Sequence, residues 1–180
     1  MENITMEEKI EKVKQLLLST NRKGMAELIV FMDERGFFTS AASTKFHGNY
    51  KGGLLDHSIN IYNTYVKLCK EYELDVPRDS KIIVAFLHDL CKAGLYTGES
   101  APFAYNNFVG QNGHGVYSVE RVIRFIELTD LERDMIKFHM GIYTKDSPLA
   151  EVIDAFKDTR IKMFYFADEI AAQCVDVKVD

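Results

Sequence analysis

Directly after the apolar run 82–87 the chain places His88 and Asp89 side by side. Ionisable groups carried into an apolar layer are costly unless they are paired or bind a metal, so this pair calls for a counter-ion. Other potential ligands stand in comparable surroundings: His57 after Gly52-Gly53-Leu54-Leu55-Asp56, His114 between Gly113 and Gly115, His139 in Phe138-His139-Met140, and Asp168 after Met163-Phe164-Tyr165-Phe166-Ala167. Taken one at a time, each reads as a packed or surface side chain. Taken together, six such residues in apolar or glycine-rich sequence read as a ligand set. Mixed imidazole and carboxylate donors suit divalent iron, manganese, zinc, cobalt or nickel, whereas calcium and magnesium favour all-oxygen shells. The set is large enough for two such metals, with iron or manganese as the leading expectation.

Lys92 lies three and four residues beyond Asp89 and His88. On a helix it would share their face and project beside any metal they hold, placed to bind an anion. By itself it reads as a cation favouring a helix C-terminus; next to a metal site the anion-binding role takes precedence.

The elements that must position these residues are helices. Thr5-Met6-Glu7-Glu8 has capping-box spacing, and Ile10, Val13 and Leu17 follow at helical intervals, which predicts a first helix at about 6–19. Met25, Leu28, Ile29 and Met32 mark a second helix, stopped near Gly36, with loop over 37–53. A third at about 55–72 carries Ile59, Tyr62, Val66 and Cys69 on one face, and after 77–80 the 82–87 run reads as a fourth helix continuing through Leu90 and Lys92 rather than as a strand. Segment 93–113, rich in glycine and aromatics, reads as a long loop or short hairpin, either a lid over the substrate or aromatic anchors pinned to the core. Val116, Val119, Val122, Ile123 and Ile126 mark a fifth helix, and Thr129-Asp130-Leu131-Glu132 caps a sixth that ends near His139. Ser147-Pro148 opens a short seventh, and Asp158 caps a last helix at about 159–175. The fold class is therefore all-α, a single-domain bundle of about seven to eight helices over 1–180, with N-terminal helices over 1–45 and the candidate metal-site bundle over 46–175.

Composition bounds the rest. With 180 residues, 47% of them hydrophobic, the chain can bury one sizeable core. The apolar runs are too short to cross a bilayer and the N-terminus lacks a signal-peptide profile, so a cytoplasmic protein without membrane partners is expected. Cys69, Cys91 and Cys174 are widely spaced without a C-x-x-C and read as reduced packing residues. A formal charge of −5 without a cationic stripe argues against a long nucleic acid and leaves room for a small phosphorylated substrate.

In the order His57, His88-Asp89, His114, His139, Asp168, the chain resembles the HD-domain superfamily of metal-dependent phosphohydrolases. The stretches that carry the resemblance are Gly52-Gly53-Leu54-Leu55-Asp56-His57, His88-Asp89-Leu90-Cys91-Lys92, Gly113-His114-Gly115, Phe138-His139-Met140-Gly141 and Ala167-Asp168. It covers 46–172, and the order of the motifs is more specific than any one of them. It implies an HD-type helical bundle in which His57, His88, Asp89 and Asp168 hold one metal. His114 and His139 would mark the subset with a second metal bridged by Asp89, and Lys92 would contact a substrate phosphate. His47, in Phe46-His47-Gly48-Asn49-Tyr50, matches a histidine that some relatives carry before Gly-Gly-Leu-Leu, facing the substrate. The chain departs from the family pattern in Val116-Tyr117, where a charged pair commonly follows Gly-His-Gly, and in a shorter 93–113 loop.

The implied activity is hydrolysis of a small phosphate ester, foremost a nucleotide, by metal-activated hydroxide, with monoester, diester and pyrophosphate bonds all open. Asp89, Lys92 and His47 are the candidate catalytic groups, His47 as proton donor to the leaving alkoxide. Lys92, His47, Gly53 and Tyr105 are the candidate substrate contacts. Gly53, after Gly52, would let the main chain approach the substrate, or would simply serve the turn before the third helix. Tyr105 or Phe108 would stack on a base. Two rival functions fit the same residues: a di-iron HD-type oxygenase, since a branch of the superfamily uses this ligand order to cleave C–C or C–P bonds with dioxygen, and a non-catalytic nucleotide-binding module.

Overall fold

The computed structural model describes residues 4–106, 114–145 and 147–176. Its elements run α1 (Met6–Leu18), α2 (Met25–Glu34), α3 (Gly53–Glu71), α4 (Arg78–Leu87), β1 (Tyr96–Thr97), β2 (Ala104–Tyr105), α5 (His114–Val122), α6 (Asp130–Phe138), α7 (Leu149–Ala155) and α8 (Thr159–Ile170), with short 3-10 turns between several of them. The all-α expectation holds, and the strands are a two-residue hairpin inside the 93–113 segment that pairs Tyr96 with Tyr105. Phe108 and Gly113 lie outside the described residues. No helix among the described residues is long and apolar enough to cross a membrane.

Both capping boxes form. Thr5 and Glu8 close the start of α1, and Thr129 and Glu132 close the start of α6. Glu132 does more than cap: its fully buried carboxylate accepts two hydrogen bonds from Arg22, at 3.0 and 2.9 Å, and one from Ser80 at 2.8 Å. One side chain thus ties the α1–α2 corner, α4 and α6 together. Asp158 caps α8 by accepting from the Arg160 backbone N–H at 2.9 Å.

The centre of the bundle is α3, packed against α4 and α8, with α6 bridging α4 and α8 and α5 lying on α6. Leu54, Ile61, Tyr65, Phe86 and Phe164 are among its fully buried side chains. The Tyr65 hydroxyl meets the Arg160 carbonyl at 3.0 Å, so the ring is buried without stranding its polar end.

Four local expectations are corrected. The inner face of α3 is Leu54, Ser58, Ile61, Tyr65 and Cys69; of the expected stripe only Cys69 is buried. Helices α4 and α8 flank α3 together and set which face turns inward, and that face includes polar residues an apolar stripe does not register. Ile123 is 52% exposed although its N–H still meets the Val119 carbonyl at 3.0 Å: it stands about 100° around the turn from the fully buried Val122, at the edge of the face that buries Val119, Val122 and Ile126. Ser147 does not cap α7: Pro148 holds the N-cap position, and the Ser147 hydroxyl makes no hydrogen bond among the described residues. Finally, α4 stops at Leu87, His88 is its C-cap, and Asp89 turns out of the helix at φ −107° and ψ 23° before a 3-10 turn over Leu90–Lys92.

Two glycines are required by close approach. A Cβ on Gly53 would lie 2.0 Å from the Gly48 carbonyl oxygen, so the bare Cα lets the 42–48 loop pack onto the start of α3. A Cβ on Gly115 would lie 2.1 Å from the Lys137 carbonyl oxygen, which sets how closely α5, and His114 at its first position, approaches the end of α6.

Candidate metal centre

Four elements deliver the cluster: α3 brings His57, the end of α4 brings His88 and Asp89, the end of α6 brings His139, and α8 brings Asp168. His88 and His139 are built alike. Each is the C-cap of its helix, and each Nδ1 meets the carbonyl of the residue three positions earlier, Ala85 at 3.0 Å and Ile136 at 2.7 Å. A carbonyl only accepts, so Nδ1 must carry a proton, and in the neutral ring each Nε2 has its lone pair aimed into the cluster.

Asp89 is the hub. Its Oδ2 lies 3.2 Å from His88 Nε2, 4.0 Å from His57 Nε2 and 2.6 Å from Lys92 Nζ, while its Oδ1 lies 3.6 Å from His139 Nε2. Asp168 Oδ1 is 3.2 Å from His57 Nε2 without the alignment of a hydrogen bond. One donor atom each from His57, His88 and Asp89, and likewise from His88, His139 and Asp168, lies within 4.8 Å of the others, close enough for one ion to touch all three. A further group of that spacing joins Asp89 to His114 through Cys91, whose Sγ is 3.5 Å from His114 Nδ1.

The test of fit is the set of buried atoms without a hydrogen-bond partner. Among the described residues these include Nε2 of His57, His88 and His139 and Oδ1 of Asp89. Each such atom ordinarily costs about 1–3 kcal/mol. Four such atoms brought together by buried histidines and an aspartate could hold a cation, and mixed imidazole–carboxylate donors suit a transition-metal ion.

The electrostatics agree. Burial alone would raise the Asp89 carboxyl, yet Lys92, His88 and His139 hold it well below the usual carboxylate range. Asp168 is also pushed up by burial and pulled down further by His57, with a net fall. Burial lowers His88. His57 is lowered by burial but raised more by Asp168 and Asp176, to about 9, so in the metal-free protein a proton on His57 occupies the place of a cation.

Asp176 was not legible as a site residue. Its Oδ2 lies 2.6 Å from His57 Nδ1 and its Oδ1 accepts from Asn60 Nδ2 at 2.7 Å, so it fixes the His57 ring as the backbone carbonyls fix His88 and His139. On a regular helix Asp176 would stand about 80° around from Asp168. A π-helical turn over Ala171–Val175, closed by Asp176 N–H to the Ala171 carbonyl at 2.9 Å, removes that offset and puts both carboxylates on His57. Ser118 and Arg121 were also missed. Ser118 Oγ accepts the Cys91 N–H at 3.1 Å, and Arg121 donates to the carbonyls of Leu90 and Cys91 at 2.9 and 3.2 Å, so α5 clamps the turn that carries Asp89 and Lys92.

Of the expected substrate contacts, Lys92 is buried and bonded to Asp89, and the His47 ring lies 4.7 Å from that of His57, its Nε2 without a hydrogen-bond partner. Burial, together with His57 and Lys92, lowers His47 to about 4. Tyr105 is 48% exposed and packs on Tyr96 at 5.5 Å. Tyr96 is the inner member of that pair: burial raises its phenol to about 12, and the phenol feels the charges of Lys92 and Asp89. Gly53 is buried against Gly48, and its missing side chain is accounted for there. Comparison of the chain with protein-family models, curated proteins and solved structures finds no match.

Proposed function

We propose that the chain is an HD-type metal-dependent phosphohydrolase acting on a small phosphate ester, foremost a nucleotide. The observation that supports this reading is the convergence of unpartnered buried donor atoms from His57, His88, Asp89 and His139 beside the buried cation Lys92. Divalent ions held there, iron or manganese foremost, would supply an acidified water as nucleophile and positive charge opposite the phosphoryl oxygens.

The chain's own residues do the rest. His88 and His139 present lone pairs in tautomers locked by the Ala85 and Ile136 carbonyls, so binding costs little reorganisation. Asp89 offers Oδ2 towards His88 and Lys92 and Oδ1 towards His139, so both of its oxygens would be available to cations held in the cluster. With cations held there to share the charge of Asp89, the Lys92 ammonium, 2.6 Å from Asp89 Oδ2 in the free protein, would be available to hold a non-bridging phosphate oxygen. His47, neutral at pH 7 in the free protein, becomes a proton donor when the substrate's negative charge raises its pKa, and then protonates the leaving oxygen. Tyr96 and Tyr105, tilted against each other at 5.5 Å, form an aromatic edge against which a base can lie. The net charge of −5 favours a small phosphorylated ligand over a long nucleic acid.

The test is metal analysis of anaerobically purified protein joined to phosphate release from a nucleotide panel with manganese or iron, with His88→Ala/Asp89→Ala as control. Bound metal and phosphate release that the double variant loses are expected. Bound iron with oxygen uptake on an organic substrate and no phosphate release would replace the hydrolase by an oxygenase. Tight nucleotide binding without turnover across several metals would leave a binding module.

A further inference from the structure

The second-metal set implied by the resemblance, His114 with His139 and Asp89, leaves out a side chain that the structure puts beside Asp89 and His114. Cys91 is 2% exposed, its Sγ is 3.5 Å from His114 Nδ1, and one donor atom each from Asp89, Cys91 and His114 lies within 4.8 Å of the others. Its backbone is held from both ends by the Ser118 hydroxyl and the Arg121 guanidinium, so the Cα from which the thiol projects is fixed in place. Asp89 Oδ1 in the same cluster is buried without a hydrogen-bond partner. A tetrahedral ion about 2.3 Å from sulfur and about 2.0 Å from an imidazole nitrogen sets those two atoms about 3.5 Å apart, the separation found here.

We infer that Cys91 joins Asp89 and His114 as a thiolate ligand of the second metal, which makes that position selective for zinc, iron(II) or cobalt(II) over manganese. The inference rests on the metal-centre reading above. Coordination replaces the S–H bond by a sulfur–metal bond, the proton leaves to solvent, and no electron is transferred. A soft sulfur donor favours borderline and soft ions, whereas manganese favours oxygen donors. At the first position, with nitrogen and oxygen donors alone, that preference is weaker.

The experiment loads the full chain with cobalt(II) or zinc(II) and reads metal content together with the metal's own spectrum. Two cobalt ions per chain and a near-ultraviolet thiolate-to-cobalt charge-transfer band are expected in the wild type and in Cys174→Ser, which removes the exposed cysteine. Cys91→Ser should lose the band and one of the two ions. Zinc X-ray absorption on Cys174→Ser should show a sulfur shell at about 2.3 Å; it decides the matter without the Cys91 variant, should that variant not fold. Bound metal with no sulfur in its shell, or a band that survives Cys91→Ser, overturns the thiolate assignment and leaves the hydrolase reading standing. Protein that takes up no metal overturns both.

Discussion

Lys92→Met should destabilise the metal-free protein far more than the metal-loaded one. In the metal-free fold, Lys92 Nζ is 2.6 Å from Asp89 Oδ2, and the two side chains are 10% and 2% exposed. Removing one member of a buried pair leaves an uncompensated charge, which costs about 3–5 kcal/mol. For a chain of this size each kcal/mol moves the midpoint by about 2–4 °C, so chelator-treated Lys92→Met should melt about 6–20 °C below chelator-treated wild type. A divalent ion on Asp89 supplies the missing positive charge, and by linkage the variant should bind it more tightly than wild type does. Saturating manganese or zinc should therefore raise the midpoint of the variant by more than that of wild type and close at least half of the gap, while phosphate release stays abolished. Melting curves by circular dichroism, with chelator and with metal, read all of this. An equal deficit in both conditions would refute the reasoning, because the lysine would then not be compensating the carboxylate that meets the metal.

Asp176→Asn keeps the shape but removes the charge that orients His57, and should weaken metal affinity about 10–100-fold in chelator competition; unchanged affinity would show that the contact positions nothing. His47→Ala should slow phosphate esters with poor leaving groups by about 10²–10⁴ and activated aryl phosphates much less, and equal slowing would remove His47 from proton donation. Glu132→Gln should cost about 1.5–3 kcal/mol at neutral pH through the weakened bonds to Arg22, Thr129 and Ser80. Burial pushes Glu132 up, but those bonds hold it below its ordinary 4.5. A depressed carboxylate contributes stability above its unfolded pKa and loses it as pH falls through the lower folded value, so the gap between wild type and Glu132→Gln in denaturant midpoint should shrink below about pH 4. A gap that does not change with pH would mean that Glu132 is not charged in the fold.

Much of the helix inventory can be read from local chemistry. Thr5 with Glu8 and Thr129 with Glu132 carry their capping logic within four residues, and both boxes form. The 82–87 run is helical, and the 93–113 segment holds a short hairpin. Local patterns failed where neighbours decide. The α3 stripe through Ile59, Tyr62 and Val66 is a pattern of apolar residues, whereas the buried face depends on two flanking helices and admits Ser58 and His57. Ile123 fits the apolar spacing of α5 but stands at the edge of the face that α6 covers, and the pattern alone does not mark where that cover stops.

The candidate site divides the same way. Histidine and aspartate next to apolar sequence declare a need for partners, because the cost of burying a charge belongs to the residue type; His57, His88, Asp89, His139 and Asp168 could be singled out before any coordinates. Which atoms face inward could not. The lone pairs of His88 and His139 are set by carbonyls three residues back, the aim of His57 by a carboxylate delivered through a π-helical turn, and the company of His114 by a glycine that lets α5 close on α6. Residue identity alone determined that these groups must find a cation or one another. The directions of His88 and His139 follow from where their own helices end, whereas the Asp176 contact with His57 and the nearness of Cys91 to His114 were decided only by tertiary packing, because each depends on a second, sequence-distant element.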